Sequence, residues 1–260
     1  MNSLLDAIPL WTLFVATLVV MLVCADTGYR LGGLRRAARK CEPESPVGSV
    51  VGAALGLLWL LMAITFSLAA TRFEDRRSAV LDEANAIGTC YLRAGMLPDD
   101  QHKEVRRLLK EYVDVRIAGV NKESVSAAIT RSGTIQNQLW AQASVAAQSD
   151  PKSIQIGLFV ESLNEVIDLH GKRLHASFYS RLPGTVWVVL LSVGALSFLM
   201  MGYHGGLAGN ARSPAMLVVA MAFACVLWLV VDLERPLDGT LVVSQQPMFD
   251  LRSSMDGIGP

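Results

Sequence analysis

The residues with the most chemical promise lie in Glu83-Ala84-Asn85-Ala86-Ile87-Gly88, where a carboxylate and a carboxamide interrupt an apolar helical pattern. Side chains two apart point to different sides of a helix. Glu83 and Asn85 are therefore candidate polar contacts of different kinds, one satisfying buried partners and the other facing solvent or a symmetry mate. A buried polar residue of this sort fixes the register of a helical bundle, and Gly88 beside it permits a close helix approach or a bend. Glu161, Glu165 and Asp168 fall near one helical face ahead of His170, but His102, His170, His175 and His204 show no metal spacing with Cys or acids. That group reads as a solvated face, and no metal site is expected. Cys24 and Cys225 lie in apolar runs, Cys41 in a basic stretch and Cys90 in a polar region, so no intrachain disulfide is expected. The sequence has no phosphate-binding loop, dinucleotide fingerprint, Gly-x-Ser-x-Gly or His-Glu-x-x-His. It points to no enzyme and no cofactor.

A second pattern is steric. Gly48, Gly52 and Gly56, followed by Ala63, Ser67 and Thr71, are mostly four apart and stack along one helix face. Such a face serves close helix packing within one subunit, a subunit interface or a pore lining. The hydroxyls of Thr65, Ser67 and Thr71 could face water in a pore.

The elements that must carry these residues follow from hydropathy. The chain is 52% hydrophobic and 18% charged, too apolar for an ordinary soluble domain and too charged to lie wholly in lipid. Gly48 to Thr71 runs without a charge, long enough at helical rise to cross a ~30 Å hydrocarbon core. It then meets Arg72, Glu74, Asp75, Arg76 and Arg77 with no Pro or Gly to stop it, while Phe73, Val80, Ala84, Ile87 and Tyr91 continue one helical face. Three more spans are expected at Ile8 to Ala25, Thr185 to Tyr203 and Ala215 to Val231. The fold class is an all-α membrane protein, four transmembrane helices with a helical-bundle insert between the second and third. Residues 1–71 hold the first two spans and a basic loop at 27–47, residues 72–182 the polar insert, 183–232 the last two spans, and 233–260 an acidic tail.

Within the insert, the Leu97-Pro98-Asp99 break precedes a stripe of Val105, Leu108, Leu109, Tyr112, Val113 and Ile117, with Gly119 as a stop. A second stripe contains Ile135, Leu139, Trp140 and Ala143. A third starts with Asp150 as N-cap and Pro151 at the first helical position, then runs through Phe159, Leu163 and Val166 and can reach Arg181. These helices should bury their stripes together, with Leu139, Trp140, Phe159 and Leu163 inside.

Charge placement bears on sidedness. Arg30, Arg35, Arg36, Arg39 and Lys40 in one short loop, with Arg212 in another, outnumber Arg235 and Arg252 in the tails. Short-loop cations mark the cytoplasmic side, so the insert and both termini are expected outside the cytoplasm. The net charge of zero argues for no nucleic-acid partner. The span centres carry no ionisable residue, which disfavours an ion-coupled carrier and suits a passive pore. Asp26 and Asp232 sit at span ends as interfacial residues. Two function classes remain: an oligomeric pore, and a sensory or scaffolding membrane protein whose insert binds a ligand or partner.

Three stretches carry a family likeness: FSLAATRFEDRRSAVLDEANAIGTCYLRAGMLPDDQHKEVRRLLKEYVD (Phe66 to Asp114), RLPGTVWVVLL (Arg181 to Leu191) and LERPLDGTLVVSQQPMF (Leu233 to Phe249). Together they resemble the bacterial bestrophin-like membrane proteins, Glu83 to Gly88 and Arg235-Pro236 most recognisably. The resemblance implies four spans in the bacterial inner membrane, a second span prolonged beyond the bilayer, and a ring-shaped homo-oligomer passing ions. By the same resemblance the helical bulk belongs in the cytosol, against the loop charges. Single Cys labels, Gly33→Cys and Gly119→Cys in a Cys-free background, decide between them with an impermeant thiol reagent on intact cells. The charge pattern predicts labelling at position 119 only, and labelling at position 33 only inverts the topology.

Overall fold

The computed structural model describes residues 8–38, 44–121, 123–209 and 214–257. Arg39, Lys40, Cys41 and Arg212 lie outside the described residues. Among those described there is no β-strand. The helices are α1 (Leu10–Ala37), α2 (Glu44–Ala94), α3 (Asp99–Ala118), α4 (Val125–Ser149), α5 (Ile154–Leu174), α6 (Gly184–Ala208), α7 (Pro214–Glu234) and α8 (Gln246–Gly257), with a π-helical turn at His175–Tyr179 after α5. Four stretches are long and apolar enough to cross a membrane: Leu10–Ala37, Pro46–Ala94, Ile154–Ala208 and Pro214–Glu234. The chain forms two compact units, and α2 contributes to both.

The apolar unit comprises Met1–Arg72, Arg181–Arg235 and Gly239–Leu241. In hydrocarbon no hydrophobic effect draws helices together, so association relies on close van der Waals contact through small residues. The α1–α6 contact is of this kind. A Cβ added at Gly28 would stand 1.9 Å from the Leu199 carbonyl oxygen, and one at Gly202 1.9 Å from that of Ala25. One turn further on, Gly32 and Gly206 press against the backbones of Tyr203 and Tyr29. Between α6 and α7, Phe198 and Phe223 meet edge to face at 6.0 Å. The Ser197 hydroxyl donates to the Ala54 carbonyl of α2 at 3.3 Å. Residues 27–37, expected as loop, continue α1 instead, because Gly28 and Gly32 are used for packing rather than for breaking the helix.

The polar unit comprises Phe73–Ser180, Pro236–Asp238 and Val242–Pro260. Its core joins Ile87, Cys90 and Tyr91 of α2 to Leu108, Leu109 and Tyr112 of α3, Ile135 and Leu139 of α4, and Phe159, Leu163 and Val166 of α5. Burial holds the Cys90 thiol up at about 12, so it is inert as a nucleophile. The stretch expected as an acidic tail supplies α8, whose Met248 and Met255 enter the same core. The Tyr91 hydroxyl donates to the Met255 carbonyl at 3.3 Å, and Lys110 pairs with Asp256 at 3.1 Å. Gly88 does serve close approach: a Cβ there would stand 3.2 Å from the Leu251 side chain of α8.

Two readings of the insert need correction. Helix α5 begins at Ile154 rather than Pro151, since Ser153 and not Asp150 caps it, its hydroxyl accepting from the Ile156 N–H at 3.4 Å. Trp140 is 43% exposed, whereas Leu139, Phe159 and Leu163 are buried as expected. The buried positions of α4 are Ala128, Ser132, Ile135, Leu139, Ala143 and Ala146. Their three-to-four spacing leaves position 140 a step of about 100° off the stripe.

Truncation at these neighbouring sites therefore has unequal effects. Leu139→Ala should destabilise the protein by about 2–5 kcal/mol, and Trp140→Ala by about 1 kcal/mol or less. Thermal unfolding of the two variants in detergent checks the ordering, and equal losses would place the indole in the core.

Candidate functional site

Helix α2 places Glu83 where its pattern otherwise puts apolar groups. Ala79, Val80, Ala84, Ile87, Cys90 and Tyr91 are buried along the same face, and Glu83 has no solvent exposure. Asn85, two residues on, is exposed. A carboxylate in that position must be met by donors, because desolvation alone costs several kcal/mol.

The donors come from two other helices. In α3, Tyr112 and Arg116 lie four apart on one face; the Tyr112 hydroxyl donates to Glu83 Oε1 at 2.9 Å. The Arg116 guanidinium lies side-on to the carboxylate, Nε 3.1 Å from Oε1 and Nη2 donating to Oε2 at 3.2 Å. In α5, Arg173 Nη1 donates to Oε2 at 2.6 Å, and His170 Nδ1 lies 3.6 Å from Oε1. His170 Nδ1 is also 3.0 Å from the Tyr112 oxygen. Since the single phenol proton goes to Glu83, Nδ1 must carry the hydrogen in that contact. Helix α4 adds Gln136, whose Nε2 donates to the Tyr112 oxygen at 3.3 Å, and Gln245 Oε1 accepts from Arg173 Nη2 at 2.7 Å.

The electrostatics follow from this geometry. Burial would raise the Glu83 pKa, but the His170 contact and the charges of Arg116 and Arg173 outweigh it and hold the carboxyl well below its usual range. Burial, with the negative charge of Glu83, pushes the Tyr112 phenol well above its ordinary value. Burial and the neighbouring Arg116 charge pull Arg173 down. The cluster is thus an ionised network, in which Arg116 Nε alone of the named donors lacks an aligned hydrogen bond. It presents no free nucleophile or base.

The second sequence candidate behaves differently. Gly48 packs within the apolar unit, where a Cβ would stand 3.2 Å from His204 Nε2. A Cβ at Gly52 or Gly56 would meet nothing within 4 Å, and Ala63, Ser67 and Thr71 are exposed. The buried side of this stretch is Val47, Val51, Leu58, Met62, Thr65 and Ala69, on the opposite side of the helix. Sequence reasoning singled out this glycine series and missed Gly28, Gly32, Gly202 and Gly206, which make the close contact inside the chain. Their four-residue spacings were visible signals.

Asp232, expected at an interface with water, is fully buried. It accepts from the Thr240 N–H at 2.9 Å, the Leu241 N–H at 3.2 Å and the Thr240 hydroxyl. Gly239, at φ +146°, lies so near that a Cβ would stand 2.3 Å from Asp232 Oδ1. Glu234 accepts from the Leu182 N–H at 2.8 Å and stands 3.7 Å from Arg72, while Arg235 donates to the Ile8 carbonyl. These carboxylates and the guanidinium close exposed backbone at helix ends. Among the described residues no group of three His, Cys, Asp or Glu side chains could hold a metal ion. Glu161 is instead exposed and 3.9 Å from Arg93, and His170 belongs to the Glu83 network.

The fold and site define an all-helical membrane protein with a buried ion-pair network in its polar unit. The bestrophin-like domain profile matches residues 10–248, and the chain belongs to the bestrophin-like family. The crystal structure of a bacterial bestrophin homolog from Klebsiella pneumoniae, phased on zinc, is 16% identical, with 97% of this chain and 100% of that one covered at a TM-score of 0.67. A single-residue variant of the Klebsiella pneumoniae homolog is 15% identical, covering 96% and 99% at 0.67. A further crystal structure, described as a membrane protein, is 14% identical, covering 97% and 100% at 0.68. At these identities the likeness establishes the fold. Comparison with curated protein sequences gives no match.

Glu83→Gln keeps the shape and removes the charge, leaving Arg116 and Arg173 buried without their counter-ion. It should cost about 3–5 kcal/mol. Because the folded-state pKa lies below the ordinary 4.5, the stabilisation by Glu83 is complete above about pH 5 and is lost as pH falls below that value. Thermal unfolding from pH 7 to pH 3 should show this acid loss in the native protein and a flatter profile in Glu83→Gln. Parallel profiles would contradict the assignment.

Proposed function

We propose that this protein is an oligomeric ion channel in the bacterial inner membrane, with α2 of each subunit nearest the axis. The observation that carries the reading is the open face of α2. Gly52 and Gly56 have empty space beside them within the chain, and Ala63, Ser67 and Thr71 continue that face outward. Glycine makes a poor pore wall but a good surface for backbone contact, so the glycine end is assigned to packing against a neighbouring subunit. The hydroxyls of Ser67 and Thr71 are assigned to the water-facing end, where a passive pore needs polar groups but no fixed charge. Family membership supports the same reading, since the bestrophin likeness implies a ring of subunits passing ions. The bilayer and other copies of the chain are the partners. On the loop-cation pattern, the polar unit and both termini lie outside the cytoplasm.

Single-particle imaging of the detergent-solubilised protein tests the architecture: a closed ring with an axial opening is expected, and a monomer or a dimer with no axial path overturns it. Gly52→Leu tests the face itself. Overpacking a helix contact costs about 1–3 kcal/mol, so the variant should assemble poorly. Ser67→Ala should keep the ring and change ion flux through a reconstituted bilayer only mildly. Unchanged oligomer size, melting temperature and flux in Gly52→Leu would mean that the face meets lipid.

A further inference from the structure

A groove of about 290 Å³ runs along the seam between α2 and α6 in the apolar unit. Thr65 and Leu190 are buried along its floor, while Ile64, Leu68 and Val189 stand half-exposed at its sides. Only Thr65 and Thr185 bring hydroxyls to the lining, and that of Thr65 already donates to the Leu61 carbonyl at 2.7 Å. Every lining residue falls within the charge-free runs Gly48 to Thr71 and Thr185 to Tyr203, which puts the groove at hydrocarbon depth. One end is different. Leu61, Thr65, Leu68 and Arg72 follow at steps of four, three and four, so Arg72 continues the groove's stripe by one more turn. Its Nη1 is buried without a hydrogen bond, 3.7 Å from Glu234 Oε1. Glu234 Oε2 accepts from the Leu182 N–H at 2.8 Å, two residues before α6 begins, which brings the N-terminus of α6 to the same end. No side chain caps that terminus, and its first turn carries no acid.

The polar end decides between the possible occupants of an apolar trough in a bilayer. Glu234 balances the charge of Arg72, so what this end offers is hydrogen-bond donors: an Arg72 Nη1 without an aligned acceptor and the first-turn amides of α6. Guanidinium groups and helix N-termini both suit phosphate oxygens. An aliphatic groove with such donors at one end matches an amphiphile with a phosphate head, whereas an apolar side chain from another copy would leave those donors unmet. Size agrees. A single water needs roughly 10–15 Å³ of the same measure, so the groove takes about twenty heavy atoms, the scale of one acyl chain. We propose that the α2–α6 groove binds one phospholipid of the bilayer per chain, an acyl chain lying between Leu68 and Val189 and the phosphate meeting Arg72 and the N-terminus of α6. The groove lies about a third of a turn round α2 from the Gly52 and Gly56 face. Lipid there does not compete with the subunit contact proposed above, and the proposal does not rest on the channel reading.

The test uses full-length protein in mild detergent, with phosphatidylethanolamine added stepwise and bound lipid counted by native mass spectrometry. One lipid per chain should saturate ahead of any further adduct. Val189→Phe fills the groove from a half-exposed side position. Displacing two or more methylenes weakens binding by about tenfold or more, so the half-saturating lipid concentration should rise by that factor. Val188→Phe, as exposed but outside the lining, should leave it unchanged. Adducts that accumulate without saturation, or a first adduct that forms equally in both variants and the native protein, overturn the proposal. A changed oligomer size in Val189→Phe with lipid binding unaltered gives the groove to a second copy and overturns it as well. Should Val189→Phe fail to fold, single-particle maps of the native protein in lipid nanodiscs decide. Chain-shaped density in the groove ending at Arg72 supports the site, and a groove left empty or filled by side chains refutes it.

Discussion

A single carboxylate with no access to water governs the polar unit. Ionised Glu83 is tolerable only while Tyr112, Arg116 and Arg173 stand within hydrogen-bonding reach, and each is held by a different turn or helix. That requirement couples α2 to α3 and α5 more strictly than apolar packing does, since a slip of one turn would still bury leucines but would orphan a charge. Gln136 and Gln245 extend the same constraint to α4 and to the segment leading into α8. Such an arrangement confers uniqueness rather than excess stability, because the desolvation of three ions offsets much of their mutual attraction.

The apolar unit meets the opposite problem. Its helices can be solvated by lipid tails as well as by one another, so cohesion comes from backbones brought together at Gly28, Gly32, Gly202 and Gly206. Where the chain leaves α7, buried carboxylates take over: Asp232 gathers the Thr240 and Leu241 amides, and Glu234 takes that of Leu182. Each amide left bare in a low-dielectric setting would cost far more than the interaction it gains. Acids at the end of an apolar helix therefore serve the backbone here.

The α2 face at Gly52 and Gly56 stands apart from both solutions. It is neither packed as Gly28 is nor engaged by charge as Glu83 is, although its small residues are spaced as regularly as those of α1 and α6. This helix surface, left without a contact inside the chain, is the observation on which the proposed assembly and pore along α2 rest.

Local patterns were legible from residues alone. Charge-free runs gave the four spans, three-to-four spacing gave the amphipathic helices, and an acid in an apolar stripe drew attention to Glu83. Those properties depend on neighbours within a turn or two. The partners of Glu83 lie 29 to 90 residues away, and nothing in Tyr112-x-x-x-Arg116 or His170-x-x-Arg173 distinguishes them from ordinary half-exposed helix faces. The exposure of Trp140, the recruitment of the tail as α8, and the choice of Gly28 and Gly202 over Gly52 for close contact were likewise decided by tertiary packing. Periodicity says which side of a helix is apolar. Only the placement of the other helices determines which apolar side finds a partner, and which charge finds its counter-ion.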